Sequence, residues 1–207
     1  MLDPMTTLAR WITEAEEAGS PSPRTLTFST VDASGAPQAR TVLSTRVGAE
    51  GVRFHSSSPT AKTRDLRHDP RSACVFFWPE TGRQAVLHGT AREAAVEESV
   101  AAYGTRPRQL RLVAWAYDDV LREAGGGQAD QEVVSADVAA PADLVAARVA
   151  VHAQRQEPLP MPPSWTTVDF SATRVDLWEG VGPELAARKT RFDRAADGTW
   201  TATEILP

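Results

Sequence analysis

Three short glycine-bearing turns break up the first half of the chain, and they limit what it can fold into. They are Asp32-Ala-Ser-Gly35, Val47-Gly-Ala-Glu-Gly51 and Pro79-Glu-Thr-Gly82. The runs between them are rich in β-branched and aromatic residues. Leu26, Phe28 and Thr30 alternate with Thr27, Ser29 and Val31, and this predicts a strand. Gln38 to Ser44 and on to Arg46, Val52 to His55, Ser72 to Trp78 and Gln84 to Thr90 read the same way. Turns of hairpin length join antiparallel neighbours. Closely spaced strands of this kind imply a small six-stranded antiparallel β-barrel, in a mainly β fold with peripheral helices.

The flanking segments have helical spacing. In Thr6 to Ala18, Leu8, Trp11, Ile12 and Ala15 fall on one face before Gly19. Lys62 to His68 predicts a short helix ended at Pro70. Glu93 to Tyr103, Leu110 to Leu121 and Ala142 to Gln154 predict three more. Gly125-Gly-Gly127 and the acidic stretch from Gln128 to Asp137 read as a flexible loop. Thr166 to Phe170, Arg174 to Trp178 and Thr199 to Ile205 return to strands, two of which would close the barrel. The expectation is one domain over residues 1–207. It has an amino-terminal helix and linker (1–23), a barrel core (24–92), helices and a loop (93–163) and a closing segment (164–207).

A chain of 207 residues can bury a sizeable core. Its formal charge of −5, with no basic stripe, argues against a nucleic-acid surface. No signal peptide and no apolar run long enough to span a bilayer is visible, so no membrane contact and a cytoplasmic location are expected. The single cysteine, Cys74, lies in an apolar run and reads as a buried, inert thiol. His68, His88 and His152 have no spacing that suggests a metal site, and none is expected.

One stretch carries chemistry. Arg40-Thr-Val-Leu-Ser-Thr-Arg46 is followed by Phe54-His-Ser-Ser-Ser-Pro-Thr-Ala-Lys62. Cations at both ends of a hydroxyl-rich hairpin suit a phosphate, because Arg grips two oxygens, Lys adds a point charge and Ser or Thr donates. On pattern alone, a surface hairpin with solvated charges is the simpler reading.

The order of motifs along the chain resembles the pyridoxamine/pyridoxine 5'-phosphate oxidase family, which includes the phenazine-biosynthesis oxidases. The resemblance rests on Asp3-Pro-Met5 with Trp11, Thr27 to Asp32 with Gly35, Arg40-Thr-Val-Leu43, Phe54-His-Ser56 and Lys62. It continues through Trp78, Arg83-Gln84, Arg106-Pro-Arg108, Ala114-Trp115, Leu177-Trp-Glu-Gly180, Arg191-Phe192 and Ile205-Leu-Pro207. It implies an FMN-binding split barrel and a homodimer with FMN in a cleft between identical subunits. Carried over, Arg40 and Lys62 would hold the FMN phosphate. Thr41, Val42 and Leu43 would line the ring, and His55 and Ser56 would contact the phosphate and ribityl chain. Gln84 would bond the ring's polar edge, while Trp178 and Arg191 would reach it from the other subunit. Arg188 is a second candidate for that last arginine.

The substrate half departs from the family pattern. A lysine that would hold substrate phosphate is Thr45 here, with Arg46 beside it. The family tyrosine falls on Ala102, one step from Tyr103, and the following serine becomes Leu110; Arg106 alone stands. The family's later arginine and histidine become Glu184 and Ala186, and a Gln-Ser pair becomes Asp118-Asp119-Val120. The substrate candidates are therefore Thr45, Arg46, Tyr103, Arg106 and Glu184, and no catalytic acid or base is assigned. The expected function is an FMN-dependent oxidase that moves a hydride from a small heteroaromatic substrate to flavin and on to molecular oxygen. A B6-phosphate oxidase with a remodelled site is one alternative. A non-catalytic flavin- or haem-binding split barrel is another, and a deazaflavin-dependent reductase is a variant of the first reading.

Overall fold

In the computed structural model, which describes residues 3–124, 142–155, 158–180 and 186–207, eight strands form one sheet. They are β1 (Thr25–Val31), β2 (Pro37–Gly48), β3 (Gly51–Ser57), β4 (Arg71–Trp78), β5 (Arg83–Glu93), β6 (Trp165–Glu179), β7 (Arg188–Arg194) and β8 (Trp200–Ile205). Their order is β3-β2-β1-β4-β5-β6-β7-β8, and β3 also pairs with β6. That extra pairing closes the first six into a barrel, as the turn pattern predicts. β7 and β8 continue β6 as an antiparallel flap.

The helices are α1 (Pro4–Glu17), α2 (Ala61–His68), α3 (Val96–Gly104), α4 (Arg108–Ala124) and α5 (Ala142–Ala153). α1 starts two residues before the sequence reading. Asp3 caps it by accepting from the Met5 amide at 2.9 Å, and Pro4 stands in its first turn, where a missing N–H costs nothing. The expected loop over 125–137 lies outside the described residues.

By packing, the chain divides into two compact units. One comprises Met1–Phe54, Asp65–Arg92 and Asp169–Pro207; the other comprises His55–Arg64 and Glu93–Val168. Alternation decides what the first unit buries. Leu26, Phe28, Phe54, Cys74, Phe76, Trp78, Ala85 and Leu87 point inward and are all but inaccessible. Phe28 meets Phe54 at 4.9 Å between centroids, and Phe76 stacks on Trp78 at 5.5 Å. The Trp78 indole N–H finds a partner in the Pro23 carbonyl at 2.8 Å. Cys74 is the inert thiol expected, and burial pushes its pKa upward.

Two readings are corrected. Thr166 to Phe170 and Arg174 to Trp178 are one continuous strand, β6, and not two. Glycines on β3 and β5 let neighbouring backbone close in on it. A Cβ on Gly51 would collide with the Phe170 carbonyl, and one on Gly89 with the Ser171 carbonyl. β7, which is mostly charged, gives no strand signal in the sequence. It forms because β6 and β8 flank it, and it buries Phe192.

In the second unit Tyr103, Ala114 and Trp165 form a core with Ala102 and Met161 packed on it. The carboxylate of Asp118 is buried and accepts from the Ser164 amide at 3.0 Å. His152, also buried, meets Asp119 at 2.6 Å and joins α5 to α4. The acidic pair Asp118-Asp119 is thus built into the helix packing.

Candidate functional site

The site residues of the first unit begin with Arg40 on β2. Its guanidinium donates to the Thr30 hydroxyl at 2.6 Å and to the Asp65 carboxylate at 3.3 Å. Asp65 is 4% exposed and also accepts from Thr30 at 2.6 Å. Burial lowers the pKa of Arg40, and the charge and hydrogen bond of Asp65 act against that. Asp65 lies on α2, twenty-five residues away, and no sequence motif announces it.

The register places the other residues on an outer face of the barrel. Thr25 pairs with Leu43, Thr27 with Thr41 and with Val75, and Phe77 with Gln84. Directly paired residues share a face, so Thr41, Leu43, Thr27, Val75, Phe77, Gln84 and Val86 lie on one uncharged surface. Leu43 and Phe77 are each 58% exposed there, while Val42 points the other way, opposite Leu26. Thr45 marks a bulge between Ser44 and Arg46, and its hydroxyl donates to the Arg53 carbonyl at 3.2 Å. Arg46 is exposed.

On the flap, Trp178 pairs with Lys189 and Asp176 with Arg191. All four therefore share one face, with Arg191 gripping Asp176 through two bonds of 2.9 and 2.8 Å and Lys189 3.7 Å from the same carboxylate. Hydrogen bonds from Arg191 hold the Asp176 carboxyl below its usual range. Arg188 pairs with Glu179 on the opposite face. Only Arg191 of the two arginine candidates thus lies beside Trp178. Glu184 lies outside the described residues, and Ala186 is exposed.

The second unit holds the hydroxyl loop. The Lys62 ammonium donates to the Ser56 hydroxyl at 2.9 Å and reaches Thr60 at 3.4 Å. The Thr60 amide donates to the Thr63 hydroxyl at 2.8 Å, which fixes the turn into α2. The Ser58–Pro59 peptide is cis. His55 packs on Trp165 at 4.7 Å, and its Nδ1 lies 3.1 Å from the Thr167 hydroxyl.

Trp165 is also the floor for Tyr103, edge-on at 5.1 Å, and for the Arg106 guanidinium, 5.4 Å above its ring. The Nε atoms of Arg106 and Arg111 are both buried without a hydrogen-bond partner. Tyr103 points its hydroxyl to the Arg111 carbonyl at 3.4 Å. Burial lowers the Arg106 pKa and raises that of Tyr103, the latter opposed by Arg111 and Arg106. A desolvated cation with an unmet donor is receptive to an anion. Arg111 is missing from the sequence reading. The signal for it was faint: a second arginine one helical turn after Arg108.

Residues 12–144 match the model of the pyridoxamine 5'-phosphate oxidase family. The chain belongs to that family. A pyridoxine/pyridoxamine 5'-phosphate oxidase of Cupriavidus metallidurans is 31% identical over 206 residues, which cover 99% of this chain and 89% of the relative. One from Mycolicibacterium vanbaalenii is 33% identical over 176 residues, 85% of this chain and 73% of the relative. Two solved structures carry the same fold. PhzG from Burkholderia lata 383, in complex with tetrahydrophenazine-1-carboxylic acid, superposes with a TM-score of 0.82 at 21% identity, over 99% of this chain and 93% of that one. A pyridoxamine 5'-phosphate oxidase-related, FMN-binding protein from Nostoc punctiforme gives 0.72 at 15% identity, over the whole of both chains. Membership of the oxidase family agrees with the motif order that the sequence displays. No helix among the described residues is long and apolar enough to cross a membrane, and no cluster of His, Cys, Asp or Glu among them could hold a metal ion.

Proposed function

We propose that the protein is an FMN-dependent oxidase acting as a homodimer on a small, flat, anionic heteroaromatic substrate. The observation that carries this is the uncharged outer face from Leu43 to Gln84, with Leu43 and Phe77 exposed on a barrel whose family handles flavin. A planar ring system fits such a surface, and Gln84 offers an amide donor and acceptor to its polar edge.

The residues present fit FMN. Lys62 with Ser56 and Thr60 is a donor set for a phosphate. Arg40, in its own unit, is a second phosphate cation whose direction Thr30 and Asp65 fix. Trp178 and Arg191, which share one face of the flap, would meet the ring from the neighbouring subunit, as the family resemblance implies. FMN, when bound, supplies the hydride acceptor and the route for electrons to oxygen. The chain's own task is then to bind and orient substrate, exclude water and set the local charge, with few acids or bases required.

Arg106 and Arg111 would hold the substrate's anionic group, with Tyr103 between them as an aromatic wall. The B6-phosphate reading is weaker. Thr45 offers a hydroxyl already bonded to Arg53 in place of a cation, and Glu184 and Ala186 replace an arginine and a histidine. Each charge-assisted bond lost costs ~1.5–3 kcal/mol. Pyridoxamine 5'-phosphate should therefore show a specificity constant at least about a hundredfold below that of a relative with the full set. Steady-state oxygen uptake measures it. A specificity constant typical of a dedicated oxidase would replace the heteroaromatic reading with the B6-phosphate one.

A further inference from the structure

The face of β7 turned away from Trp178 lines a cavity that has no part in the flavin reading. It lies within the first unit, between α1 and the β6–β7 flap, and has a volume of about 180 Å³. Trp11, Leu177 and Phe192 form its apolar wall and are 5%, 6% and 3% exposed. Thr7 and Thr190 bring hydroxyls to it, and Arg10, Arg83, Arg188 and Glu179 bring charge.

The charges do not balance. Arg83 lies 5.0 Å from the Trp11 ring centroid, bridges to Glu14, and reaches the Glu179 carboxylate at 3.0 Å. Arg10 shares Glu14 at 3.6 Å. Arg188 faces Glu179 across the β6–β7 register, but that carboxylate is turned to Arg83. Among the described residues two carboxylates therefore serve three guanidiniums, and no carboxylate pairs with Arg188. A surplus arginine beside an aromatic wall and two hydroxyls is a receptor for a planar anion.

Size narrows the ligand. At ~30 Å³ per water the cavity is worth roughly six waters, a match for one ring. We propose that this cavity is a separate binding site for a small aromatic carboxylate, with Arg188 as its anchoring cation, Thr190 as a donor, and the edges of Trp11, Leu177 and Phe192 as its apolar floor. Because β7 carries Lys189 and Arg191 on its other face, a ligand here sits behind the strand, away from Trp178.

The test is calorimetric titration of benzoate into flavin-free and FMN-loaded protein, with benzyl alcohol as the neutral counterpart. One benzoate should bind per chain in both preparations, and benzyl alcohol should not bind. Arg188→Gln should weaken benzoate about tenfold or more, as loss of a charge-assisted contact does, and Arg106→Ala should leave it unchanged. Binding that survives Arg188→Gln, binding lost in Arg106→Ala, or no binding to the wild type would each overturn the proposal. Thr190→Val provides the same comparison, with a smaller drop, should Arg188→Gln fail to fold. The flavin-free arm separates this result from the fate of the oxidase reading.

Discussion

Arg40 and Lys62 look alike in the sequence, as two cations bracketing a hydroxyl-rich hairpin, but the structure gives them different surroundings. Arg40 is tied to Thr30 and to Asp65, which is itself buried. Removing it strands a carboxylate in a dry place, so Arg40→Ala should cost about 3 kcal/mol of fold stability as well as flavin affinity. Lys62 donates to the hydroxyls of Ser56 and Thr60. Lys62→Ala should weaken FMN by about 2–4 kcal/mol, as truncating a desolvated charge partner does. Urea unfolding and flavin titration of both variants separate the two effects. An Arg40→Ala variant with wild-type stability would show that Asp65 does not depend on Arg40. The type of each residue was legible in the sequence, but its partner was not. Asp65 and Arg111 become relevant only through packing, which places residues distant in sequence beside Arg40 and Tyr103.

Elements with strong alternation were the most legible. β1 to β5 and the turns between them follow from inward Leu26, Phe28, Phe54, Phe76 and Leu87 and from the glycine punctuation. β6 was misread as two strands because Ser171 and Thr173 look like a break, whereas close backbone at Gly51 and Gly89 holds it straight through. β7 was missed because Arg188 to Arg194 holds only one large apolar residue, and its pairing is decided by its neighbours. The β1–β2 turn is a case where local chemistry suffices. Asp32 accepts from the Ser34 and Ala36 amides, the Ser34 hydroxyl and the Gln38 side chain. These bonds, led by the Ser34 hydroxyl, lower its pKa to about 2 from an ordinary 3.8. A depressed carboxylate stabilises the fold above its unfolded pKa and loses that contribution as pH falls through the folded value. Asp32→Asn should therefore be less stable than wild type above pH ~4, and the gap should close between pH ~4 and ~2. Chemical denaturation of both proteins across that range is the check. A gap constant with pH would mean that the charge contributes nothing.

At the scale of the molecule, the exposed outer face has a consequence for assembly. In the proposed homodimer a second copy would cover the patch carrying Phe77, Leu43, Val75 and Val86, and a two-fold axis is the commonest closed solution for a self-complementary surface. Phe77→Glu would place a charge in the centre of that contact. It should give a monomer by light scattering, with flavin binding lost at the same time, since Trp178 and Arg191 would no longer reach a partner's ring. A dimer that survives Phe77→Glu with full flavin affinity would place the interface elsewhere. The central claim, that this barrel holds FMN, is tested most directly by titrating FMN into the flavin-free protein while following flavin fluorescence and absorption. The account predicts saturable binding of one FMN per chain, weakened in Lys62→Ala, with the flavin released on denaturation. A folded protein that does not bind FMN, or one that takes up haem in its place, would contradict it.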